Sequence, residues 1–131
     1  MLDEQHRRGR QEQRLQRGGL AADSKHQEEQ RANQQHADQI AARIVQLNGE
    51  PNLNPDGLTS RSHAEYVEGE DLIDMIKEDL VAERIAIDSY REMINYIGDK
   101  DTTTKRMLEG ILAMEEEHAD DLVGLLEKMD K

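Results

Sequence analysis

The chain has 131 residues, a formal net charge of -12, no Cys, Phe or Trp, and three Tyr. That length allows one domain, and the acidic balance disfavours nucleic acid and anionic membrane as partners while concentrating cations around the folded body. Without cysteine there are no disulfides and no thiolate metal sites, which suits a reducing cytoplasm.

No apolar run is long enough for a membrane span, and the basic start "HRRGRQEQR" lacks the apolar region of a secretory signal. A cytoplasmic protein is expected. With only two prolines and a second half rich in Ala, Leu, Ile, Glu, Lys and Met, the fold class reads as all-α.

Residues 1–35 hold eight Gln, six Arg and Lys25 against six acids, and no Ile, Val or aromatic residue. This segment is nearly neutral, so the acidity belongs to the remainder. With Gly9, Gly18 and Gly19 in it and little to bury, it is expected to be disordered. Residues 1–31 are therefore read as a polar tail and residues 32–131 as the folded domain.

From Ala32 a helical rhythm runs through His36, Ile40, Ile44 and Leu47 and stops at Asn48-Gly49, a left-handed stop. Residues 50–70, which carry both prolines, read as a long connection crossing from one end of a bundle to the other. The strongest helix spans 70–97, with a stripe of Ile73, Ile76, Leu80, Glu83, Ile87, Tyr90, Ile94 and Ile97. Glu70 and Asp71 favour its start and Gly98 its end. A last helix begins near Asp101 or Thr102 and shows Leu108, Ile111, Glu115, His118, Leu122, Leu125 and Met129 on one face. The short link between these two helices predicts an antiparallel hairpin.

Both stripes are apolar apart from Tyr90, Glu83, Glu115 and His118. Folding the hairpin between Asp99 and Lys100 sets Glu83 at a height between Glu115 and His118 on the facing helix. Glu115 and His118 are i and i+3, so a carboxylate oxygen and an imidazole nitrogen can reach one ion. The alternatives are a hydrogen-bonded Glu–His pair with Glu83 snorkelling to solvent, or a device that fixes helix register. Three polar groups at one level of an apolar seam favour a metal site. The other acids, among them Glu78, Asp79, Glu109, Glu116 and Glu117, are expected at the surface, with Asp120 or Asp121 able to orient His118. Tyr90 reads as core with a hydrogen-bonded hydroxyl, and Met107, Met114 and Met129 as packing residues.

The phrase His-Ala-Asp-x-aliphatic occurs twice, at His36 and at His118. "HADQIAARIVQLNGEPNLNPDGL" and the stretch from "LIDMIKEDLVAERIAI" to "MEEEHADDL" resemble the second half of a bacterioferritin-type ferritin, over about residues 32–129. The resemblance implies part of a four-helix bundle that holds two irons and oxidises Fe(II) with oxygen or peroxide, in oligomers that store ferric mineral. It implies Glu83 and His118 as terminal ligands, Glu115 as the bridging carboxylate, and His36 as the imidazole of the other half. The family's first helix has no recognisable counterpart, its second bridging Glu is replaced by Asn33, and Gln34 stands where some members carry a haem-ligating Met. The expectation is a partial ferritin-like bundle of three helices with a disordered N-terminal tail, iron-binding and homo-oligomeric, without haem; a truncated or frame-shifted gene product would give such a chain. A non-catalytic helical oligomer or degenerate remnant with no functional metal site is the alternative.

Overall fold

The computed structural model describes residues 2–56 and 71–129, and these form three helices with no strand among them. Helix α1 spans Leu2–Gln46, α2 spans Leu72–Ile97 and α3 spans Thr102–Met129. Each boundary has a local cause. At the end of α1, Asn48 takes a left-handed φ of 64°, its N–H donates to Val45 O at 3.0 Å, and Gly49 N–H donates to Ile44 O at 2.8 Å. These are the paired bonds of a Schellman stop. A Cβ at Gly49 would lie 2.9 Å from Ile44 Cγ2, so the chain needs a residue without one there.

Asp71 opens α2 by accepting from Asp74 N–H at 2.8 Å, and Gly98, at φ 52°, closes it with a bond to Ile94 O. Asp101 opens α3 by accepting from Thr104 N–H at 3.1 Å. The same carboxylate receives Arg43 Nη2 at 3.0 Å, while Arg43 Nε donates to Thr104 Oγ1 at 2.9 Å. The end of α1 is thereby fastened to the start of α3.

Helices α2 and α3 form the expected hairpin. Ile76 and Leu80, early in α2, share a core with Leu122 and Met129, late in α3, as an antiparallel pair requires. Helix α1 packs on α3, also antiparallel: Lys25 meets Asp121, His36 meets Glu115 and Arg43 meets Asp101. Both apolar stripes face inward as the spacing predicts, with Ile111 only 1% exposed. Met129 is buried, whereas Met114 is exposed and does not serve as packing. Ile111→Ala should destabilise the fold by about 2–5 kcal/mol in urea denaturation, because it opens a cavity at the tightest point of the seam. Glu109→Ala on the outer face should change stability by less than about 0.5 kcal/mol.

Residues 1–31 differ from expectation. They are helical from Leu2 onward, and no break separates them from the segment after residue 31. Residues 3–13 are exposed all round, so burial does not hold them. Local chemistry does: Gln, Glu, Arg and Leu are good helix formers, no proline intervenes, and pairs such as Glu4–Arg8 and Asp3–Arg7 lie one turn apart. Low hydrophobicity identified a segment with nothing to bury there, but it did not distinguish a coil from a solvated helix. The connection expected over 50–70 is described only to Asp56. Its remainder, with Glu70 and its role at the start of α2, lies outside the described residues.

Candidate metal centre

Each of the four expected ligands is buried: His36 from α1, Glu83 from α2, Glu115 and His118 from α3. Helical spacing explains why. Glu83 lies three residues after Leu80 and four before Ile87, both core residues, so the α2 stripe carries it inward. Glu115 and His118 sit between Ile111 and Leu122 in the same way. Among the described residues, Glu83, Glu115 and His118 bring one ligand atom each to within 4.8 Å of one another. His36 Nδ1 lies 3.1 Å from Glu115 Oε1, the imidazole N–H donating to the carboxylate. Glu115 is thus shared between the three-residue group and the histidine of α1.

The polar atoms of this group are under-satisfied. Both ring nitrogens of His118, which is 2% exposed, and Oε2 of Glu83 have no hydrogen-bond partner among the described residues. Buried polar atoms without partners are costly, and an imidazole lacking a partner on either nitrogen is rare. A divalent cation coordinated by His118, Glu83 and Glu115 would remove that cost, and nitrogen plus carboxylate oxygen is a donor set suited to iron or zinc. The residues present fit a metal.

Electrostatics agree. Burial pushes the Glu83 carboxyl up to about 9, assisted by a hydrogen bond to Glu115 and by the nearby charges of Glu115, Glu29 and Asp79. Burial beside a second carboxylate thus favours the neutral form of Glu83. Tyr90, partly buried, is also a weaker acid than usual, first through burial and then through the charges of Glu115 and Glu83.

One replaced position lies outside the centre, and two expectations need correction. Asn33, the position of the family's bridging Glu, points to solvent rather than into the centre. Neither Asp120 nor Asp121 orients His118: Asp120 is exposed and Asp121 pairs with Lys25. Asp79 is not a surface acid but partly buried, and burial raises its pKa.

The sequence reading missed Glu29, which is 5% exposed and on the same side of α1 as Ala32 and His36. Burial pushes its carboxyl up to about 7, and the charge of Asp79 adds to the shift. Glu29 stands one heptad before His36, and that spacing was the only available sign.

The ferritin-like domain family matches residues 18–131 of the chain. No curated protein gives a significant match. Among solved structures, the chain is similar to a dodecameric thioferritin, the bacterioferritin-related protein from Bacteroides fragilis, with 31% identity and a TM-score of 0.77. The match covers 82% of this chain and 65% of that one, so the chain spans just under two thirds of that protein's length.

Proposed function

The chain belongs to the ferritin-like domain family, and from that premise we propose that it binds Fe(II) at Glu83, Glu115 and His118, with His36 as the donor of a second iron position. The single observation that carries this reading is His118, buried beside two carboxylates with neither ring nitrogen hydrogen-bonded among the described residues. Within the family we assign it to the bacterioferritin type, on the repeated His-Ala-Asp phrase and the Glu-x-x-His of α3. The proposed activity is oxidation of Fe(II), as substrate, by oxygen or peroxide at a carboxylate-bridged pair of irons.

In this reading the protein's residues do four things. Glu115 would be the carboxylate that serves both positions, a role supported by its contact with His36 and its place in the three-residue group. Glu83 gives up the proton that burial holds on it when a cation arrives. His118 would coordinate through a ring nitrogen, both of which lack a hydrogen-bond partner among the described residues. The apolar neighbours Leu80, Ile87, Ile111 and Leu122 keep water away from the donors, which strengthens each electrostatic contact.

We also propose a homo-oligomer in the cytoplasm, with Fe(II) as the ligand and without haem. The dodecameric relative supports assembly, as do the exposed side chains of Val45, Leu47, Met93 and Tyr96. Among the described residues no helix is long and apolar enough to cross a membrane.

An anaerobic Fe(II) titration followed by thermal unfolding tests the reading. A ligand that binds only the folded chain stabilises it, by about 2.7 kcal/mol at a hundredfold excess over Kd. A melting temperature unmoved by Fe(II) would leave the non-catalytic helical oligomer as the better account.

A further inference from the structure

The centre on Glu83, Glu115 and His118 leaves one buried carboxylate unexplained. Glu29 is 95% withdrawn from solvent by its 5% exposure, and its Oε1 has no hydrogen-bond partner among the described residues. An acid in that state must hold a proton or meet a cation.

Glu29 lines a cavity of about 120 Å³ together with Lys25, His26, Asp79 and the apolar Ile76 and Leu122. His26 and Glu29 are i and i+3 on α1, hence neighbours on one face, and Asp79 reaches the same cavity from α2. Two carboxylates and an imidazole thus border one space with the same donor types as Glu83, Glu115 and His118, but their ligand atoms do not all lie within 4.8 Å of one another as those three do, so a bound cation would have to draw the side chains together. Asp79 is one helical turn before Glu83, so the cavity adjoins the main centre. The charges of Glu29 and Asp79 are both felt at Glu83, which agrees with that adjacency.

Two contacts bear on whether a cation can enter. The Lys25 ammonium is drawn towards Asp121 and Glu28. The His26 ring accepts from the Gln30 amide through Nε2 at 3.1 Å, at an exposed position where water can replace that bond.

We infer that this cavity is a second cation subsite, taking a divalent metal on Glu29 and Asp79 with His26 at its mouth, beside the main centre. It supplies carboxylate charge on the α1 side, where Asn33 is neutral and faces solvent. Lys25 is the competing cation, so its removal strengthens the site.

Co(II) titration of the full chain under anaerobic conditions, read by calorimetry and visible absorption, tests the inference. Glu29→Gln loses one Co(II) equivalent relative to the unaltered chain and keeps the Glu115-dependent binding. Glu115→Ala keeps the Glu29-dependent equivalent. Lys25→Met tightens that equivalent. Asp79→Asn, at a less buried position, repeats the loss should Glu29→Gln fold poorly, and circular dichroism checks helix content in each variant. The inference is overturned if Glu29→Gln and Asp79→Asn bind as much Co(II) as the unaltered chain with the same affinity. It is equally overturned if Glu29→Gln and Glu115→Ala remove the same equivalent, which would make Glu29 part of the main centre. Failure of the main-centre reading looks different: Glu115→Ala would then leave Co(II) binding unchanged.

Discussion

Glu115→Ala should reduce Fe(II) oxidation by at least about 100-fold, while Glu116→Ala stays close to the unaltered chain. The two residues are adjacent on one helix, so they share propensity, charge and distance from the helix ends. They differ by about 100° of rotation around the axis. That rotation puts Glu115 at 3% exposure, in contact with His36 and grouped with Glu83 and His118. It leaves the Glu116 side chain 48% exposed, 3.6 Å from Arg91. An exposed ion pair of that kind contributes about 0–1 kcal/mol, so its loss should hardly alter stability or activity.

Removing Glu115 takes away the one carboxylate placed to serve both halves of the centre. Stopped-flow absorbance of ferric product and anaerobic Fe(II) binding give the two readouts, and helix content shows that the fold persists. Equal loss in both variants would mean that α3 does not present the face described above.

Stability of the metal-free chain should fall as pH rises from about 5 to 8, and Fe(II) should reverse the trend. The sign follows from the buried acids. Glu83 has its pKa raised from 4.5 to about 9, chiefly by burial and then by Glu115. Below pH 4.5 both folded and unfolded chains hold this proton, so the group is neutral to stability. Above it the unfolded chain releases the proton and the folded chain retains it, so each further unit of pH favours unfolding until about pH 9. The ceiling for Glu83 is roughly 3 kcal/mol by pH 7, at 1.36 kcal/mol per unit.

Glu29, raised to about 7 by burial, acts in the same direction between 4.5 and 7. Asp101, lowered by its hydrogen bonds from Thr104, acts in the opposite direction but below pH 4, outside this window. The net charge of -12 also disfavours compactness as pH rises, so a control must separate the two effects. Glu83→Gln keeps the shape and cannot ionise, and it should flatten the slope between pH 5 and 8 in urea denaturation.

Metal binding follows the opposite course because cation and proton compete for the same oxygens. The gain in melting temperature on adding Fe(II) under anaerobic conditions should therefore grow with pH. A slope that is the same in Glu83→Gln and the unaltered chain would remove Glu83 as its source.

What the sequence determined by itself was the hairpin and its polar level. In α2 and α3 nearly every turn contributes an Ile, Leu or Met to one face, so the phase of each helix is set many times over. Glu83, Glu115 and His118 then fall inside by arithmetic. Asp71, Gly98, Asp101 and the Asn48-Gly49 stop were equally legible, since each acts on backbone groups within a turn of itself.

Tertiary structure decided the rest, and α1 shows why. Residues 24–35 contain one Ala and no larger apolar side chain, so within that stretch the inward face of α1 is marked only by its spacing from the rhythm that begins at Ala32. That phase is imposed from a distance, by His36 on Glu115, Arg43 on Asp101 and Lys25 on Asp121. Once it is imposed, Glu29 is enclosed and Asn33, four residues further on, is turned out to water. Periodicity can place a polar residue only where apolar neighbours mark the face. Where they do not, the packing partner makes the choice.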